Sequence, residues 1–308
     1  MPAGTAQPDA QRQVTVAAAV VILAIAFALN WFFNHTPKGM GVKAIPAFYP
    51  IVFFIGWGTL VPAWLMGKIV LGGIVSPREL GIGAERRDAL ASLSALIVGG
   101  AIAAIPLLPL LRDPAGLRTL HGLFANLLVA STAEVLLFLG VLGAGVRAFL
   151  ARDDWRSNAA IVALSSVAFG LFHFTYPEPW NDLPTALTLM GIWAMVSLLF
   201  AVSRSLLAAI LFDNILATVG FVKNGLSLPQ PALHGWLLAL LALAVYVNLE
   251  AGFWPSFLIY LVAIIAILGH FLLGPMRLIQ TAIKVTHVIG CAVIRHCGTV
   301  CIGFRSYI

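Results

Sequence analysis

LHGLFANLLVASTAEVLLFLGVLGAGVRAFL, residues 120–150, is a long apolar run that contains one acidic side chain, Glu134. A helix needs roughly 20 apolar residues to cross the hydrocarbon core of a bilayer, so this run is long enough to span a membrane. An acid at the centre of such a helix costs on the order of 2.5–3.5 kcal/mol on insertion scales. The run therefore predicts a transmembrane helix, with Glu134 as a candidate functional residue.

The composition of the whole chain indicates the same class of protein. Of its 308 residues, 61% are hydrophobic and 10% are charged, and the mean hydropathy is +0.99. A soluble domain carries roughly 25% charged residues, so this chain cannot cover a water-facing surface. A transmembrane β-barrel would need short segments of alternating hydrophobicity, which the sequence lacks. We therefore expect an all-α, polytopic transmembrane helical bundle.

Hydropathy predicts about eight or nine membrane-spanning helices. The candidate spans are 15–33, 47–70, 89–111, 119–149, 157–174, 185–203, 205–222, 233–249 and 252–273. The chain then divides into an N-terminal tail (1–14), N-terminal helices (15–118), core helices (119–222), C-terminal helices (223–275) and a tail of unknown role (276–308).

The net charge of +6 reflects membrane topology rather than nucleic-acid binding, because the basic residues concentrate in loops. The loops after the second and fourth spans carry Lys68, Arg78, Arg86, Arg87, Arg147, Arg152 and Arg156. This bias predicts a cytosolic N-terminus. Nine spans would, however, place the equally basic tail outside, so either the count is wrong by one or the tail breaks the rule. The richness in Ala, Leu and Gly favours a bacterial plasma membrane.

Three separate predicted helices each present a polar group at membrane depth. Glu134 lies on the fourth span, Phe169 and His173 share one face of the fifth, and Asp213 and Asn214 are adjacent on the seventh. Intramembrane ionisable residues are functional candidates. Each also has a structural explanation. His173 stands in an aromatic stretch, FHFTYPEPW, typical of a membrane interface, and the Asp–Asn pair could join helices.

The order of these residues resembles the CPBP family, the CAAX proteases and bacteriocin-processing (Abi) enzymes. The first motif of that family, usually within EELLFRG, aligns with AEVLLFLG (133–140), with Glu134, Phe138 and Gly140 in step. The second motif, F-x-x-x-H, is FGLFH (169–173), and the third, H-x-x-x-N, aligns with AAILFDNILA (208–217). The departures are Val135, Leu139, Asp213 and Ala217, where the family has Glu, Arg, His and Asn.

The resemblance implies that Glu134 and His173 activate a water molecule for peptide hydrolysis, and that Asp213 takes the position of an oxyanion-stabilising residue. Phe138, Phe169 and Asn214 would support the site. An ionised Asp213 would repel an oxyanion. Four alternatives remain. A protonated Asp213 donates a hydrogen bond, or Asn214 takes the donor role. Otherwise Glu134, His173 and Asp213 hold a divalent metal such as zinc, or the site is inactive.

The sequence therefore predicts an intramembrane endopeptidase that acts on a membrane-associated peptide or protein within the lipid bilayer. No cofactor is firmly implied, and no nucleic acid is expected as a partner. Two other functions are compatible with the same residues. A relative without catalytic activity could bind a peptide or a partner protein, or a proton-coupled transporter could use Glu134 and Asp213 as a relay.

Overall fold

The computed structural model describes residues 9–45, 47–62, 86–152, 154–226 and 232–247, together with Tyr260, Leu261 and Ile265. Contacts divide the chain into a unit Met1–Leu261 and a unit Val262–Ile308. The tail 276–308 lies outside the described residues, and the domain boundaries expected from the sequence stay predictions. The fold is therefore that of the first unit.

The described residues form helices and no strand, which confirms the all-α prediction. The helices are α1 (Asp9–His35), α2 (Pro37–Lys43), the π-helix π1 (Pro50–Leu60), α3 (Arg86–Leu111), α4 (Pro114–Val135), the π-helix π2 (Leu136–Val141), α5 (Leu142–Leu150), α6 (Trp155–His173), α7 (Leu183–Ser203), α8 (Leu206–Lys223) and α9 (Ala232–Val247). The segments α4, π2 and α5 form one uninterrupted helix, Pro114–Leu150.

Six of the predicted spans are confirmed as apolar helices of membrane-crossing length. They are Asp9–His35, Ala89–Leu111, Pro114–Leu150, Trp155–His173, Leu183–Ser203 and Leu206–Lys223. The described parts of the second and eighth predicted spans contain shorter apolar helices, Pro50–Leu60 and Ala232–Ala242. Apart from three residues, the ninth predicted span lies outside the part of the chain that the structure describes.

Acidic residues between the spans have a local structural role as helix caps. Asp113, Asp154 and Asp182 accept backbone N–H bonds at the starts of α4, α6 and α7. A side-chain acceptor at this position satisfies N–H groups that have no partner within the helix. Among the residues whose burial the structure describes, the two buried carboxyl groups are those of Glu134 and Asp213.

The helix Pro114–Leu150 lies at the centre of the bundle. Over an apolar stretch of 18 residues in this helix, 67% of the residues are buried, whereas 17% are buried in the corresponding stretch of Ala89–Leu111. The outer face of α3 exposes large apolar side chains such as Ile97 and Ile105. Exposed apolar faces of this kind suit contact with lipid tails, whereas the central helix is enclosed by other helices.

The central helix carries a glycine series, Gly140, Gly143 and Gly145, and one of them, Gly145, allows a close helix contact. A Cβ added there would lie 2.8 Å from the Cβ of Ala19 on α1. Added Cβ atoms at Gly140 would meet nothing within 4 Å, and those at Gly143 would have ordinary contacts. Of these three glycines, Gly145 is thus the one that allows close approach, at the α1–α5 crossing.

Gly235 is the contact point between α9 and α4, and Gly235→Ala should destabilise the protein by about 1–3 kcal/mol through overpacking. The added Cβ would lie 2.4 Å from the carbonyl carbon of Ala125 and 2.5 Å from the backbone nitrogen of Asn126. Backbone atoms cannot rotate away, so one helix must shift. Thermal unfolding in detergent measures the effect.

Gly122→Ala is the matched control, because a Cβ at this position on α4 meets nothing within 4 Å. It should leave the unfolding midpoint unchanged or raise it slightly, since alanine favours helix over glycine. Equal midpoints for the two variants would contradict the assigned α4–α9 contact.

Candidate active site

Glu134 lies in the last turn of α4, where it is 9% exposed. Its carboxyl oxygen Oε1 accepts a hydrogen bond from the hydroxyl group of Tyr176 at 3.0 Å. Tyr176 follows α6 by three residues, in the loop that leads to α7. The partner of Glu134 is therefore a phenol from another segment rather than a basic side chain of its own helix.

His173 is the last residue of α6, and its Nδ1 atom lies 2.9 Å from the carbonyl oxygen of Phe169. A carbonyl oxygen can only accept, so Nδ1 carries the proton. In a neutral imidazole this leaves the lone pair on Nε2. The four-residue spacing of F-x-x-x-H thus fixes the tautomer in which Nε2 can accept a hydrogen bond.

The predicted supporting residues Phe169 and Phe138 pack around His173. The ring of Phe169 lies 4.5 Å from the His173 ring and 3.8 Å from that of Trp193, measured between centroids. Phe138 is fully buried and meets Phe169 edge-to-face at 5.6 Å. Edge-to-face and offset contacts are the favourable arrangements of aromatic rings, so this cluster fixes the position of the imidazole.

Asp213 lies on α8, is 4% exposed, and is close enough to Glu134 for their charges to interact. The Ser131 hydroxyl is within hydrogen-bonding reach of Asp213. Its Oδ2 atom is buried and has no hydrogen-bond partner among the described residues. An unsatisfied buried polar atom costs roughly 1–3 kcal/mol, so it needs an explanation such as a role in binding or catalysis.

Asn214 contacts α4 at Phe124 and Ser131, which precede Glu134 on that helix. Its Nδ2 atom donates to the carbonyl oxygen of Phe124 at 3.0 Å, and its Oδ1 atom lies 3.5 Å from the Ser131 hydroxyl. One amide N–H is therefore engaged in joining α8 to α4. This contact agrees with the interhelical role, and it disfavours Asn214 as the donor that replaces the missing histidine.

Tyr176 links two of the three predicted catalytic residues, and the third is linked through Glu134. The rings of His173 and Tyr176 lie 5.1 Å apart, while Tyr176 binds Glu134 and Glu134 interacts with Asp213. No hydrogen bond joins Glu134 directly to His173. Throughout the described part of the chain, no three His, Cys, Asp or Glu side chains are grouped closely enough to hold a metal ion.

A polar network that sequence reasoning missed adjoins this site. Asn30 of α1 donates to the Thr175 hydroxyl at 2.7 Å, and Asn34 donates to the Thr175 carbonyl at 3.1 Å. The Tyr49 hydroxyl donates to Asn30, and the Lys43 ammonium group donates to Asn34. The available signal was the four-residue spacing of the two asparagines, which places them on one helix face.

The fold is that of a polytopic α-helical membrane protein, and the candidate site is an acid and a histidine buried between its helices. A family model described as Rce1-like, type II CAAX prenyl endopeptidase, matches residues 116–216. This segment runs from α4 into α8, contains Glu134, His173 and Asp213, and confirms the resemblance to the CPBP family. The matched segment supports a CAAX-type intramembrane protease. No curated protein and no solved structure matches the chain.

Proposed function

We propose that the protein is an intramembrane endopeptidase of the CPBP type that hydrolyses a peptide bond of a membrane-associated peptide or protein. What supports this proposal is that Glu134 interacts with Asp213 and shares the neighbour Tyr176 with His173, all three within the matched segment 116–216. All three are buried. Burying two carboxyl groups whose charges interact is costly, and ionisable residues kept inside a membrane despite that cost are functional candidates.

Glu134 is the general base in this scheme. Two carboxyl groups that share a buried site hold one proton between them, because like charges in a medium of low dielectric repel strongly. The hydrogen bond from Tyr176 stabilises the charged form of Glu134, since a hydrogen bond donated to a carboxylate favours ionisation. Asp213 has the weaker donor Ser131 within reach, and its Oδ2 atom has no partner among the described residues, so the scheme places the proton on Asp213.

The reaction is the addition of water to a peptide bond. The water oxygen bonds to the carbonyl carbon while one water proton passes to the Glu134 carboxylate. The carbonyl oxygen becomes an oxyanion, and the tetrahedral intermediate then collapses with cleavage of the carbon–nitrogen bond. Glu134 returns its proton to the departing nitrogen, which gives one new carboxyl group and one new amine.

In this step His173 acts on the attacking water, and Asp213 acts on the oxyanion. The Nε2 lone pair of His173 accepts a hydrogen bond from the attacking water and so orients it. The protonated carboxyl group of Asp213 donates a hydrogen bond to the oxyanion, the role that the third motif assigns to this position. A donor at an oxyanion is worth roughly 10²–10³ in kcat.

Mapping protein N-termini in cell membranes tests the proposal. Cells that produce the wild-type chain should show cleavage sites that are missing from cells producing Glu134→Gln, because glutamine keeps the shape of the side chain but cannot accept a proton. Glu178→Gln is the matched control, since the same change falls on an exposed loop residue. It should leave the wild-type sites in place.

Identical N-terminal maps for wild type and Glu134→Gln, with equal amounts of protein in the membrane, would contradict an endopeptidase. That result would favour a binding protein without catalytic activity. The departures from the family motifs at Val135, Leu139 and Ala217 would then be the remains of a lost active site.

A further inference from the structure

Tyr176 is the residue on which the acid, the histidine and the α1 network meet. Its hydroxyl group donates to Glu134 at 3.0 Å, and its ring lies 5.1 Å from that of His173. The hydroxyl group of Tyr49 lies within hydrogen-bonding reach of the Tyr176 oxygen as well as of Asn30. Tyr49 has one hydroxyl proton and Asn30 receives it, so Tyr49 lies beside Tyr176 without being its donor.

Helix α1 holds the backbone at the residue that precedes Tyr176. Asn30 and Asn34 bind the side chain and the carbonyl group of Thr175, and the Thr175 hydroxyl in turn donates to the Phe172 carbonyl at 2.6 Å. All these groups are buried. A fully satisfied buried network is rigid, so the phenol of Tyr176 is held in place before a substrate binds.

No polar side chain of the first motif competes with Tyr176 for Glu134. The family pattern has Glu and Arg at two positions that are Val135 and Leu139 in this chain, and both are fully buried apolar residues. The hydrogen bond that Glu134 receives comes instead from the loop after α6. Tyr176 therefore provides a polar contact that the divergent motif cannot.

We infer that Tyr176 is a positioning residue for Glu134, fixed by Asn30 and Asn34 through Thr175, and that it places the proton shared by the two carboxyl groups on Asp213. The catalytic part of this inference rests on the proposed endopeptidase function. The location of the proton does not, and it can be measured on the purified protein alone.

Other titratable groups also lie near Glu134. Asp213 faces it from α8, His173 from the end of α6, and Tyr49 from the segment before π1. Lys43 reaches the network through Asn34. Burial raises the pKa of Tyr176, and the neighbouring Glu134 charge raises it further. The phenol thus stays protonated and remains a donor across the neutral range.

Infrared spectroscopy of the purified protein locates the proton. A protonated carboxylic acid has a distinct C=O stretch, and isotope labelling of aspartate shifts that band only when the proton is on Asp. At neutral pH the wild-type band should shift with the label. In Tyr176→Phe, which removes one oxygen and keeps the ring, part or all of the band should become insensitive to the label, because Glu134 competes for the proton.

Cleavage kinetics on a peptide that spans a mapped site provide the second readout. A hydrogen bond to a charged group is worth roughly tenfold to a hundredfold in rate. Tyr176→Phe should lower kcat by about that factor with little change in KM, and should move the acidic limb of the kcat profile to higher pH. Tyr260→Phe is the matched control, since its hydroxyl donates to the Ile51 carbonyl at 3.0 Å, outside this network.

The outcomes separate this inference from the proposed function. An unchanged band and an unchanged pH profile in folded Tyr176→Phe would overturn the inference even if cleavage is real. A band that changes as expected, in a protein that cleaves nothing, would support the placement of the proton and refute the endopeptidase. Thr175→Val removes the hydroxyl that Asn30 binds; it should shift the band in the same direction by less, and it replaces Tyr176→Phe if that variant does not fold.

Discussion

His173→Ala should lower kcat/KM for a cleaved peptide by roughly 10²–10⁴-fold, the usual contribution of a positioned acid–base group. The reason is geometric. The bond between Nδ1 and the Phe169 carbonyl fixes the tautomer, and the aromatic cluster fixes the ring, so Nε2 has one defined position. Alanine removes that acceptor while leaving the helix intact. Steady-state kinetics in detergent measure the loss.

The double variant Glu134→Gln, His173→Ala should be almost as active as the less active of the two single variants. The reason is that both residues act on one water molecule, so removing the second adds little to the loss of rate. His121→Ala is the control. Its Nε2 accepts a bond from Trp236 at 2.8 Å on the α4–α9 interface, and its activity should stay within a few-fold of wild type. If the activation free energies lost in the two single variants add fully in the double variant, Glu134 and His173 act in separate steps.

Asp213→Leu should lower kcat by roughly 10²–10³-fold, the typical effect of removing an oxyanion donor. Asp213→Asn should retain much more activity, since an amide N–H can donate in place of the protonated carboxyl group. The order of activity of the two variants is informative, because both substitutions remove the negative charge. If Asp213 acted through its charge, the two variants would lose activity equally. Single-turnover kinetics separate the chemical step from product release.

Asn214→Leu is the neighbouring comparison for Asp213. It breaks the bond to the Phe124 carbonyl and should reduce stability rather than kcat in the folded fraction. An Asp213→Asn protein as inactive as Asp213→Leu would contradict the donor role. It would leave a requirement for a carboxyl group that the present scheme does not contain.

The sequence identified Glu134, His173 and Asp213 for a simple reason. Ionisable groups are rare in apolar helices and costly there, so each one is conspicuous. The periodicity of 3.6 residues also placed Phe169 beside His173 without any knowledge of tertiary structure. The six confirmed spans follow from the same balance of apolar length against charge.

The network around Tyr176 was not predicted, because neutral polar residues do not stand out in the same way. Tyr176 and Trp180 fit an interfacial aromatic belt, and Asn30 lies among apolar residues at the end of the first span. Their function depends on α1 meeting the loop after α6, a contact between residues 145 positions apart. No local pattern encodes such a contact.

The π-helix that follows Glu134 has a consequence for how this chain is compared with its relatives. Hydrogen bonds from i to i+5 put more residues in each turn than an α-helix has, so π2 changes the rotational phase between Glu134 and everything beyond Val141. Gaining or losing one residue within Leu136–Val141 would be absorbed by converting one helix type into the other. Leu139, at the motif's arginine position, lies inside this stretch. Counting residues forward from Glu134 therefore does not identify the side chain that shares its face, and a structural superposition is needed to do so.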